Sequence, residues 1–119
     1  MMNREAVRRC LLGMNEVVEE RPFGPDVAVF KVRGKMFALL PDDEPVRLNL
    51  KCEPAEALLL RGMYEAIQPG YHMNKRHWNT VTFDGTVPDE VLQRMMDDSY
   101  RLVVRGMKKV DQRELLGEN

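Results

Sequence analysis

Apolar residues recur along this chain in more than one rhythm, and each rhythm predicts a different kind of element. After Asn3, a good helix N-cap, Val7, Cys10, Leu11 and Met14 fall at i, i+3, i+4 and i+7, which predicts an opening helix with one core-facing stripe and Gly13 near its end. Val27 to Val32 and Lys35 to Leu40 read as strands, and Arg33-Gly34 between them supplies the glycine that a two-residue hairpin favours. Val46 to Lys51 alternates strictly, with Val46, Leu48 and Leu50 on one face and Arg47, Asn49 and Lys51 on the other, so one side of the sheet is expected to be buried and the other polar and locally basic. Pro54 opens a second helix through about Arg61, with Ala57, Leu58 and Leu60 toward the core and Gly62 marking its end. Met63 to Gln68 predicts a short strand stopped by Pro69-Gly70, and Asn79 to Phe83 another, ending in an Asp84-Gly85 turn. Pro88 begins the longest helix, whose stripe of Val91, Leu92, Met95, Met96, Ser99, Leu102, Val103 and Met107 leads into a basic tail of Arg101, Arg105, Lys108 and Lys109.

The resulting order, α-β-β-β-α-β-β-α, predicts a single α+β domain over residues 1–119, with an antiparallel sheet whose apolar face is covered by helices. The remaining segments read as connections. Glu16, Glu19 and Glu20 make an acidic exit from the first helix, and Arg21 to Asp26 is broken by two prolines and a glycine, with Phe23 expected as a packed loop aromatic. Asp42, Asp43 and Glu44 sit between prolines as a solvated loop tip, without the ligand spacing of a calcium loop.

Charge narrows the partners. With 18 Lys+Arg against 19 Asp+Glu the net charge is -1, so bulk electrostatics favour neither nucleic acid nor a membrane surface, and any anion binding must come from local clustering. Cys10 and Cys52 lack metal or redox spacing and read as reduced, buried thiols. No apolar run reaches the length of a membrane span and the first twenty residues are too charged for a signal-peptide core, so the expected compartment is the cytoplasm.

Candidate chemistry concentrates in one place. Residues 71–83 hold both histidines, His72 and His77, the only tryptophan, Trp78, and Tyr71, and no acid occurs between Ala66 and Phe83. Lys75 and Arg76 are suited to phosphate contacts, Asn74 and Asn79 to hydrogen bonds, and Tyr71 or Trp78 to stacking on a base; Lys31, Arg33, Lys35, Arg47 and Lys51 extend the candidate surface onto the neighbouring strands. Each also has a structural role open to it: Trp78 as a buried packing residue, Asn74 as a turn residue, the cations as a solvated face. The two histidines are five apart, which is not one helical face, and no third ligand stands at a fixed spacing, so no metal or other cofactor is expected. No nucleophile is coupled to them by a catalytic motif, and no catalytic residue is assigned.

The run Tyr71-His72-Met73-Asn74-Lys75-Arg76-His77-Trp78-Asn79-Thr80-Val81, followed by Asp84-Gly85, Val87-Pro88-Asp89-Glu90 and Ser99-Tyr100 before Leu102-Val103, resembles the signature of the MmcQ/YjbR proteins. The similarity extends to Pro22 through Asp26, to Val32 through Leu40 and to Leu48 through Leu60. These are small bacterial domains usually described as DNA-binding, and the resemblance implies a CyaY-like fold. It does not carry iron binding with it, because the first helix presents Arg4, Glu5, Arg8 and Arg9 where an acidic face would be needed. The expectation is a non-enzymatic cytoplasmic protein that binds DNA through residues 71–79 and the basic hairpin; the alternative is a protein-interaction or small-anion-binding module using the same surface.

Overall fold

The computed structural model describes residues 2–70 and 73–117. In chain order the elements are α1 (Arg4–Leu12), β1 (Val17–Glu20), β2 (Val27–Val32), β3 (Lys35–Pro41), β4 (Arg47–Lys51), α2 (Pro54–Met63), β5 (Ile67–Pro69), β6 (Trp78–Thr82), α3 (Asp89–Arg105) and α4 (Lys109–Leu116). The strands form one antiparallel sheet in the order β1-β2-β3-β4-β6-β5. Helices cover one face, which holds the main core; Val7 and Leu11 of α1, Leu60 of α2, Met96 and Val104 of α3 and Leu115 of α4 meet Phe30, Phe37, Leu48, Leu50 and Val81 there.

The α+β architecture agrees with the hydrophobic pattern, and two elements go beyond it. The acidic exit after α1 is strand β1, in which Val17 packs on the core and the Glu19 carboxylate accepts from Arg8 Nε at 2.6 Å. Four residues ending in two glutamates are too short to show alternation. Of the basic tail, Arg101 and Arg105 belong to α3, whereas Lys108 and Lys109 open a further helix, α4, which docks by burying Leu115 and Gln112. Gln112 Nε2 donates to Met107 O at 2.8 Å, a bond back across the α3–α4 turn that hydrophobic periodicity does not register.

Helix α2 also differs from expectation. It continues through Gly62 to Met63, and Leu58 points to solvent, because Ala57 and Leu60 take the buried positions. The short strand after it is confined to Ile67–Pro69.

In the β2–β3 hairpin, Arg33 and Gly34 both have positive φ, 47° and 80°, the conformation whose twist matches the flanking strands. Higher in the hairpin Phe30 faces Ala38 while Lys31 faces Met36, so Phe37 is an extra residue and both Phe37 and Ala38 turn into the core. The bulge disturbs the next ladder. With Ala38 opposite Leu50, the following rung would join Phe37 to Lys51. The buried Ser99 of α3 spans that gap instead, its hydroxyl donating to Phe37 O at 2.6 Å and accepting from Lys51 N at 2.9 Å.

Ser99→Ala leaves a carbonyl and an amide buried without a partner, and is expected to lower unfolding free energy by about 1–3 kcal/mol. Urea denaturation checks this; a midpoint equal to wild type would show that the two strands close the rung without the hydroxyl.

Candidate functional site

The opposite face of the sheet is not the open polar surface that alternation in β4 predicts. Val29, Leu39 and Trp78 form a second apolar cluster there, joined by Val27, Met36 and Met73. Two connections rise over its edges, residues 21–26 carrying Phe23 and residues 73–77 carrying Met73 and Asn74. Between them runs a trough of about 750 Å³. Its walls are mostly apolar, and its polar groups are few: Asn49 and Thr80 side by side on the floor, Asn74 on the rim, and Arg47 with Asp43 toward one end. Thr80 Oγ1 donates to Asn49 Oδ1 at 2.5 Å, which leaves the Asn49 amide N–H groups available as donors. Arg47 meets Asp43 at 2.9 Å with both side chains partly exposed, so four of the five guanidinium N–H donors are outside that contact.

The segment 73–79 is held from behind by Arg61, which the sequence reading did not single out. Its Nε donates to Asn79 Oδ1 at 2.7 Å, and its terminal nitrogen to the carbonyls of Lys75 and Trp78. Asn79 is fully buried, and among the described residues its Nδ2 lacks a partner. Asn74 Oδ1 accepts from Arg76 N at 3.0 Å, and His77 N donates to Asn74 O at 3.1 Å, closing a tight turn. Trp78 is 7 % exposed and packs on Val29 and Leu39, so its position is that of a wall. Tyr71 and His72, both candidates above, lie outside the described residues.

The remaining candidates do not converge on one patch. Lys31 pairs with Glu20 at 2.9 Å. Arg33 is clasped by Glu16 at 2.8 Å, Asp111 at 2.5 Å and Glu114 at 3.0 Å, and its hydrogen bonds to Glu16 and Glu114 hold its pKa above the ordinary value. Arg47 lies beside Thr82 and Lys51 beside Trp78, four residues or about 13 Å apart along β4. Lys35, Lys75 and Arg76 are exposed, while His77 and Lys51 are half-buried. Among the described residues no three His, Cys, Asp or Glu side chains are grouped to hold a metal ion. Among the described residues no helix is long and apolar enough to cross a membrane.

The trough depends on a close backbone approach at Gly70. A Cβ there would stand 2.7 Å from Trp78 Cβ and 3.1 Å from Met73 Cβ, and Gly70 N donates to Trp78 O at 2.8 Å. Gly70→Ala is therefore expected to push Trp78 from its wall, costing about 1–3 kcal/mol and shifting tryptophan emission to the red as the indole gains water. Unchanged emission together with an unchanged thermal midpoint would show that the approach is not tight.

The family model described as YjbR matches residues 12–102. The YbdF protein of Escherichia coli O157:H7 is 39% identical over 112 residues, covering 93% of this chain and 92% of its own. YjbR of Escherichia coli K12 is 36% identical over 87 residues, covering 72% and 73%. Among solved structures, the Deinococcus radiodurans protein DR2400, a DUF419 domain, superposes with a TM-score of 0.90 at 38% identity, covering 97% of this chain and 88% of that one. A Pseudomonas syringae protein does so with a TM-score of 0.75 at 29% identity, covering 85% and 98%. None of these names states an activity, and together they establish that this chain belongs to the YjbR family.

Proposed function

We propose that this protein is a binding module for a small, elongated ligand with an apolar body and one anionic group, seated in the trough on the outer face of the sheet. The observation that carries this reading is the trough itself: about 750 Å³, largely apolar, with a guanidinium and an amide as its main donors. That volume falls within the roughly 300–1,000 Å³ typical of small-molecule sites. The ligand body lies along the trough's apolar lining, over the half-buried Met36 and the small exposed edges of Trp78 and Leu39. Its anionic group meets Arg47, which matches a carboxylate or phosphate with paired donors, and Asn49 contributes an N–H nearby. Asp43 already occupies one edge of Arg47, so the anionic group meets the guanidinium donors that this ion pair leaves over. No reaction is assigned: among the described residues that line the trough, no nucleophile stands with a base.

The sole tryptophan makes the site its own reporter. Titration with 1-anilinonaphthalene-8-sulfonate, an anionic apolar probe, is expected to quench Trp78 emission saturably, with octanoate competing. Arg47→Met keeps the stem and removes the charge, and is expected to weaken the probe by roughly tenfold to a hundredfold. Equal affinity of the folded variant and wild type, or no response of Trp78, would overturn the reading.

DNA binding is the second reading, favoured by the exposed Lys75 and Arg76 on a turn that Arg61 holds rigid. Lys31, Arg33 and Arg47 already face carboxylates, and the turn itself offers two cations, whose two phosphate contacts correspond to a log K against log salt slope of about -2. Fluorescence anisotropy on duplex DNA tests it: Lys75→Ala with Arg76→Ala is expected to abolish that slope. Absence of wild-type binding at low salt and high micromolar protein would end this reading.

A further inference from the structure

Helix α2 is built inside out by comparison with α3. Every exposed position of α3 is polar, among them Glu90, Arg94, Asp97 and Arg101. Every exposed position of α2 is apolar: Ala55, Leu58, Leu59, Gly62 and Met63. The two leucines and the methionine are 66%, 56% and 60% exposed. The charges of α2, Glu56 and Arg61, are both half-buried; Glu56 borders the groove between α2 and α3, and Arg61 is directed at Asn79, Lys75 and Trp78. A helix that is apolar all round belongs in an interior, yet Ala57 and Leu60 alone are buried here, so the outer face of α2 is a contact surface without its partner.

That face is symmetric about its middle. Leu58 and Leu59 hold the centre, with Ala55 one turn before them and Gly62 one turn after. A two-fold axis through the centre, perpendicular to the helix, lays a second α2 antiparallel on the first, so that Leu58 stands level with the partner's Leu59 and Ala55 with the partner's Gly62. The small residues lie on the midline, where they let the helix axes approach, and the leucines interdigitate to either side. Over Gly62 the space is open, because a Cβ there would meet nothing within 4 Å.

We infer that the protein pairs with a second copy of itself through α2, in an antiparallel two-fold contact centred between Leu58 and Leu59. Charge agrees with a copy as the occupant. The exposed face carries none, and the groove beside it is bordered by Lys51 and Arg94 as well as by Glu56 and Asp98, two of each sign, so neither surface selects a cationic or an anionic partner. An identical face brings no charge or side-chain polar group that would lose water without compensation. A helix of ten residues is about 15 Å long, which puts the contact at the small end of specific interfaces and makes the dimer one that forms at high concentration. The trough lies across the sheet from α2, so both copies keep it open.

Sedimentation equilibrium of the full chain from micromolar to millimolar concentration is expected to show monomer passing reversibly into dimer, no more weakly in added salt, since salt does not screen apolar burial. Leu58→Glu is expected to raise the dimer dissociation constant by about tenfold or more while the monomer keeps its thermal midpoint, because Leu58 is already exposed. Gly62→Gln fills the open space on the midline and removes a glycine from a helix interior, so it is expected to raise the thermal midpoint of the monomer and abolish the dimer. Ala55→Cys with Gly62→Cys reads the register. Within one helix these positions are about 10.5 Å apart, too far for a disulfide, so mild oxidation joins them between copies. Ala55→Cys alone leaves its two sulfurs equally far apart and is expected to cross-link no more than wild type, which carries Cys10 and Cys52. A chain that stays monomeric at millimolar concentration, a dimer unchanged by Leu58→Glu and Gly62→Gln, or cross-linking of Ala55→Cys alone would overturn the inference. So would a monomer that floats with phosphatidylcholine vesicles until Leu58→Glu is introduced, since a lipid surface would then be the occupant.

Discussion

One hydroxyl lets a bulged hairpin and a regular strand belong to the same sheet. The extra residue at Phe37 brings two consecutive side chains into the core, which thickens the packing under α3 but breaks the rung that Phe37 and Lys51 would share. Ser99 restores both hydrogen bonds at once, as donor to one strand and acceptor from the other, and thereby fixes the axial position of α3 over the sheet. The neighbouring Tyr100 uses that placement twice. Its ring meets Phe37 edge-on at 5.5 Å, and its hydroxyl donates to Asn15 O at 2.8 Å, so the link between α1 and β1 is tied to the same helix.

The helical side of the fold was legible because its signals are local. Asn3 caps α1, with its side chain accepting from Ala6 N at 2.9 Å, Gly13 ends it, and the long stripe around Ser99 is α3. Elements held by tertiary contacts were not. Strand β1 exists because Val17 to Glu20 can pair with β2, and α4 because Arg33, Asn15 and the core receive it. Neither has enough residues to display a period of its own.

The trough shows a different limit. Alternation in β4 correctly separated Leu48 and Leu50 from Arg47 and Asn49, but one strand's polar face was extended to the whole sheet. The corrective signal lay in β2 and β3, where Val27 to Phe30 and Met36 to Leu40 are unbroken apolar runs, the pattern of strands covered on both sides. For the segment around Trp78, composition identified the place without the arrangement. The absence of acids between Ala66 and Phe83 accompanies a turn whose carbonyls are gathered by Arg61, a cation supplied from α2 and invisible to any reading of the segment alone.

Arg33 takes the strained conformation of a hairpin turn and uses it to reach three carboxylates from two other parts of the chain. Since α4 buries little besides Gln112 and Leu115, this clasp gives the end of the chain an attachment with an electrostatic component that the sheet does not share. Dissolved ions weaken such a contact while leaving apolar burial intact, because at 1 M salt the field of a charge decays over about 3 Å. Ionic strength therefore acts unevenly on this molecule, loosening its last helix well before its core.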